Sequence, residues 1–125
     1  MSSQPSQVRQ YFTNLRLLVQ AHPYVLDLTL NRERVSQDEG FNQLSVELVK
    51  NHRLEVFEYY GVKNGLIKYR YQLLDSKNNL IARWDNAPHH PDINTHPHPL
   101  HTPMGVKEHH PKPLPDLLDE LDKFW

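Results

Sequence analysis

Residues 67–84 read IKYRYQLLDSKNNLIARW, and the fold is decided there. Ile67, Tyr69, Tyr71 and Leu73 alternate with Lys68, Arg70 and Gln72. That two-residue period belongs to a strand with one buried face. Asp75-Ser-Lys-Asn-Asn79 is a hairpin turn, because Asp and Asn side chains bond their own backbone and tolerate the left-handed region. Leu80–Trp84 then returns as the partner strand. Working backwards, Leu54–Tyr60 forms a strand that ends at a Gly61–Gly65 turn. Before it, Leu44, Val46 and Leu48 alternate with Ser45 and Glu47. Tyr24, Leu26, Leu28 and Leu30 alternate with Val25, Asp27 and Thr29, and the polar stretch Arg32–Gly40 reads as a strand end and turn. Five consecutive strands with short connections predict an antiparallel meander.

A sheet with one apolar face needs a cover. Val8, Tyr11, Phe12, Leu15, Leu18 and Val19 recur at helical spacing and supply one. Ser3 or Ser6 can cap that helix, Pro5 suits its first turn and Pro23 stops it. After Pro115, the apolar Leu117, Leu118, Leu121 and Phe124 predict a short amphipathic helix whose wet side carries Asp116, Asp119, Glu120 and Asp122. The expected architecture is therefore α+β in a single domain: a helix over 1–22, sheet over 24–86, an extended segment over 87–115 and a short helix over 115–125.

The chain's 125 residues suit one domain. Its 14 basic and 15 acidic side chains nearly balance, so bulk charge points to neither nucleic acid nor a membrane surface. The balance hides a split. Residues 1–84 carry 11 basic and 8 acidic side chains, and residues 85–125 carry 3 and 7. Cysteine is absent, which excludes disulfides, thiolate nucleophiles and sulfur-ligated zinc. No apolar run approaches the ~20 residues that span a bilayer, and MSSQPSQVRQ lacks the order of a secretory signal. A soluble, cytoplasmic protein that does not contact membrane is expected.

Eight of the ten prolines and seven of the nine histidines fall between Pro88 and Pro115. Prolines at that density exclude helix interiors and central strands. His89, His90, His96, His98 and His101 cluster just after Arg83 and Asp85. A solvated loop is one reading of them. Metal binding is a second, with His96, His98 and His101 supplying nitrogens and His89, His90 or Asp85 a fourth ligand, although the spacing matches no standard zinc signature. Acid–base chemistry without a cofactor is the third. Two imidazoles can serve as base and acid, and Arg83 or Arg70 can hold charge on phosphorus, as RNA transesterification requires. Asp85 can orient an imidazole through its second nitrogen. Tyr69 and Tyr71 can add proton donors or a stacking face, although core placement suits one or both of them better. Trp84 reads as core, and His22 and His52 as structural. The hairpin register decides which side chains meet. If Tyr71 pairs with Arg83, Tyr69 pairs with Asp85; a one-residue slip puts Arg70 and Gln72 on Arg83's side instead.

Tyr69-Arg-Tyr-Gln-Leu-Leu-Asp, the Arg83-Trp-Asp-Asn-Ala-Pro-His-His90 string and Pro97-His-x-x-His101 together resemble the TumE family of toxin–antitoxin systems, over roughly residues 50–120. The resemblance implies a small toxin partnered by a helix-turn-helix antitoxin. It further implies a metal-independent endoribonuclease acting on RNA, including ribosome-bound messenger RNA, with a homodimer left open. The family motif falls on Tyr69, Tyr71, Arg83, Asp85, Asn86, His89, His90, Pro97, His98 and His101. The family often has a histidine where Pro99 stands here, which weakens His98 and His101 as a working pair. From clustering and resemblance, His89 and His90 are the acid–base candidates. Arg83 is the phosphate clamp, Asp85 the orienter, His98 and His101 the reserves and Tyr71 an auxiliary donor. The alternative is a non-catalytic protein-binding or regulatory module whose stiff, His-rich loop docks a partner or binds a metal.

Overall fold

A computed structural model describes residues 6–86, 99–108 and 112–125. Among them, a helix lies on one face of a seven-stranded antiparallel sheet whose spatial order is the sequence order. The helix α1 spans Gln7–Gln20. The strands are β1 (Val25–Val35), β2 (Glu39–Leu48), β3 (His52–Gly61), β4 (Gly65–Leu74), β5 (Leu80–Asp85), β6 (Pro99–Thr102) and β7 (Gly105–Glu108). A second helix, α2 (Leu114–Leu118), and a 3-10 turn over Leu121–Phe124 complete the chain. The α+β architecture read from sequence holds, and the meander gains two short strands. No described helix is long and apolar enough to cross a membrane.

Three local readings change. β1 runs on to Val35, although Arg32–Gly40 looked like strand end and turn. Polarity misleads there because Glu33 faces α1 and pairs with Arg16 at 2.9 Å and Arg9 at 3.4 Å, so the strand stays extended while carrying charge. β6 lies within the stretch expected to hold no strand. Pro99 is its first residue, where a missing N–H costs no ladder bond. The C-terminal helix is a five-residue α-helix followed by a 3-10 turn rather than one continuous helix.

Ser6, not Ser3, caps α1, its hydroxyl accepting from Arg9 N at 3.1 Å. Val8, Phe12, Leu15 and Val19 bury the helix on Leu44, Val46, Leu54, Val56 and Leu73 of the sheet. Leu18, expected in that stripe, is 57% exposed. α2 adds Leu114, Leu117 and Leu118 to the same core, and Phe124 sets its edge against Trp84. Both helices therefore share one face of the sheet, and no described element covers the other, open face. Asp75 makes the β4–β5 turn as expected, accepting from the N–H groups of Lys77 and Asn79 at 2.8 and 2.9 Å. His22 is structural too: it reaches Asp119 at 2.7 Å and ties the end of α1 to the C-terminal segment.

Candidate functional site

The β4–β5 register pairs Tyr71 with Trp84, Gln72 with Arg83 and Arg70 with Asp85. Of the two registers left open by the sequence, this is the one that puts Arg70 and Gln72 beside Arg83. Alternation then sends Trp84 and Ala82 into the core and Arg83 and Asp85 to the open face. β6 pairs with β5 so that His101 lies across from Arg83. Three groups from two strands converge: Asp85 Oδ2 is 3.2 Å from Arg83 Nε and 3.3 Å from His101 Nε2. Asp85 is 5% exposed, so its carboxylate is held by these neighbours more than by solvent. The Arg83 side chain keeps 33% exposure and can still meet a ligand.

Asn86 secures the end of the strand that presents this cluster. Its side-chain oxygen accepts from Tyr69 N at 3.1 Å and its amide donates to Ile67 O at 2.8 Å. The amide thus imitates one more residue of backbone ladder and fixes where β5 ends. Asn86 thereby clamps the end of β5 to β4.

Tyr71 is placed elsewhere. It is 1% exposed on the helix side, and its hydroxyl donates to Glu58, as does that of Tyr11. Burial raises the Glu58 carboxyl above its ordinary value, and the two tyrosine hydrogen bonds oppose that rise. Burial, and then the nearby Glu58 charge, raise both Tyr71 and Tyr11. Tyr69 stacks on Tyr71 with ring centroids 5.1 Å apart, and its hydroxyl is raised by burial first and by the Asp85 carboxylate second. Tyr69 therefore sits between the two groups, core by burial and adjacent to Asp85 by charge. His89, His90 and His98 lie outside the described residues. Among the described residues, no three histidine or carboxylate side chains come together in a way that could hold a metal ion.

The open face also holds residues that the sequence reading passed over. Phe41 and Phe57 are half-buried there, with ring centroids 5.9 Å apart and planes 27° from parallel. Arg32 lies over Phe41 with its guanidinium carbon 5.4 Å from the ring centre. Beside them is a pocket of about 180 Å³ lined by Gln43, Glu55, Phe57, Arg70 and Gln72, among others. A signal for these aromatics existed: Phe41 falls out of phase with Leu44, Val46 and Leu48 on the same strand.

A family model described as Toxin TumE matches residues 14–125. No curated protein and no solved structure matches the chain.

Proposed function

The chain belongs to the TumE toxin family, and from that premise we propose that it is an endoribonuclease that cuts RNA by acid–base chemistry without a metal. As a toxin of a toxin–antitoxin pair it has an antitoxin partner; we take that partner to be a helix-turn-helix protein. The observation that carries the catalytic reading is the convergence of Arg83 and His101 on one buried carboxylate, Asp85.

In this reading Asp85 positions the His101 ring, whose Nε2 lies 3.3 Å from its Oδ2. Arg83 lies 3.2 Å from Asp85 through Nε, and its two terminal amino groups bind the phosphate in the paired geometry guanidinium favours. A base takes the proton of a ribose 2′-hydroxyl, and the 2′-oxygen attacks phosphorus. Arg83 stabilises the extra negative charge, and an acid protonates the departing 5′-oxygen. The products are a 2′,3′-cyclic phosphate and a 5′-hydroxyl end. His101 is one of the two proton carriers, and the second imidazole comes from His89, His90 or His98. The distances to Asp85 exceed the ~2.7–2.9 Å of a tight charge-assisted bond, as is common for catalytic groups without substrate. Tyr71 leaves the set, because its hydroxyl is engaged by Glu58 on the far side of the sheet.

The test is induced expression in a bacterial host of wild type beside Asp85→Ala, following growth and mapping new RNA 5′ ends. Growth arrest with new ends in the wild type, both lost in a soluble Asp85→Ala protein, is the expected result. Arrest without new ends would remove the ribonuclease assignment while leaving the toxin assignment in place.

A further inference from the structure

Cross-strand pairing arranges the open face in rows. Arg34, Phe41, Tyr59 and Lys68 lie side by side across β1 to β4. The next row is Arg32, Gln43, Phe57, Arg70 and Asp85. Each row thus has aromatic surface in its middle strands and cations on both sides. The single acid in these rows, Asp85, is already engaged by Arg83. A third row runs Ser45, Glu55, Gln72, Arg83 and His101, which places the candidate site at the end of the same surface.

The acids of the C-terminal helical segment lie away from these rows. The acidic C-terminal segment, with Asp116, Asp119, Glu120 and Asp122, packs beside α1 on the helix face through Leu117 and Leu118. The cations of the two rows are on the opposite side. A net charge of −1 is therefore no obstacle to binding a polyanion, because the two rows hold Arg32, Arg34, Lys68 and Arg70 against Asp85, while Glu39 beside Tyr59 and Glu55, paired with Arg53, flank them. Leu17 and Leu18, both exposed, lie on α1, on the other side of the sheet from these rows.

We propose that the open sheet face is a platform for single-stranded RNA. Bases stack on Phe41 and Phe57, while Arg32, Arg34, Lys68 and Arg70 meet the phosphates. The proposal rests on the ribonuclease reading above and adds the surface that delivers RNA to it. Aromatic side chains flanked by cations bind single strands because every base has a π-face and every linkage a charge. The pocket beside Phe57 adds the amides of Gln43 and Gln72, each able to donate and accept, at a position where a base edge would lie. Duplex RNA keeps its bases stacked on one another and cannot use this surface.

The experiment measures binding of a fluorescein-labelled, 2′-O-methylated single-stranded oligonucleotide, which cannot be cut, by fluorescence anisotropy at several salt concentrations. Phe57→Ala and Phe41→Ala each weaken binding on the order of 5- to 150-fold, the range for losing one stacked base. Arg70→Gln, at an exposed position, lowers the slope of log affinity against log salt by about 0.7. A duplex of the same sequence binds more weakly than the single strand. Wild-type affinity in all three variants, with unchanged circular dichroism, would overturn the platform; if those variants still cut unmodified RNA, the ribonuclease reading survives that loss. Variants that release the antitoxin and keep RNA would also overturn it. Strong, face-dependent binding by a wild type that never cuts RNA would sustain the platform and remove the ribonuclease reading.

Discussion

Tyr71→Phe separates fold from site. Phenylalanine fills the same volume, so no cavity opens at a position 1% exposed to solvent. What is lost is one hydroxyl that donates to Glu58, a carboxylate itself 1% exposed. A hydrogen bond to a charged group contributes about 1.5–3 kcal/mol, and Tyr11 keeps the other carboxylate oxygen, so the expected loss is about 2 kcal/mol. With a urea dependence of about 2 kcal/mol per molar, the unfolding midpoint falls by about 1 M at neutral pH. Glu58 is raised by burial and lowered by its two tyrosine donors, so removing one donor raises it further. A folded-state value higher in the variant than in wild type means that the variant binds its proton more tightly. Its deficit is therefore full at pH above both folded values and shrinks as pH falls through them. Urea titrations over a series of pH values from acid to alkaline read both effects, and growth arrest on induction reads function, which is expected to persist. A variant as stable as wild type at every pH but no longer toxic would refute this reasoning and return Tyr71 to the catalytic set.

Other outcomes follow from the same geometry. Asp75 accepts from Asn79 and Lys77 in the β4–β5 turn, and its carboxyl is lowered by those bonds; Asp75→Ala is less stable than wild type at neutral pH, and the difference disappears as acid protonates the wild-type carboxylate. Chemical denaturation at pH 7 and pH 2 checks this. Leu118→Ala opens a hole where α2 joins the core, at a site 0% exposed, and costs about 2–5 kcal/mol in thermal or urea unfolding. Asn86→Ala removes the amide that extends β5 past Asp85, leaving Tyr69 N and Ile67 O to water; cleavage falls more than stability does, read as the initial rate on RNA beside the unfolding midpoint. In excess chelator, RNA cleavage by wild type is unchanged.

The sequence carried the meander from β1 to β5 because each strand alternates and the turns carry Gly, Asn or Asp, although between β2 and β3 Lys50 also takes a left-handed φ of 62°. It could not choose the register between Tyr71 and Arg83, because the tyrosines of β4 suit core and site, and β5 carries apolar side chains at the successive positions Leu80, Ile81 and Ala82. The structure chooses through Trp84, which buries against Phe124 and brings Tyr71 with it to the helix side. Proline density hid β6, a four-residue strand whose proline occupies the one position that forgives it. With β6 hidden, His101 stood as a reserve candidate; its pairing with Arg83 is what carries it to Asp85. Glu33 misled in the opposite direction, a charged residue inside a strand because two arginines of α1 receive it. Phe41 and Phe57 were legible as residues out of phase with the core stripe, but only cross-strand register shows that they are neighbours.

The most direct measurement incubates the purified chain with a synthetic single-stranded RNA in excess EDTA and determines the chemistry of the new ends. The wild type is compared with His101→Ala and Arg83→Ala proteins of unchanged circular dichroism. The account predicts cleavage that leaves 2′,3′-cyclic phosphate and 5′-hydroxyl ends in the wild type, and its loss in both variants. Cleavage that stops in EDTA, leaves 5′-phosphates or survives His101→Ala would contradict it.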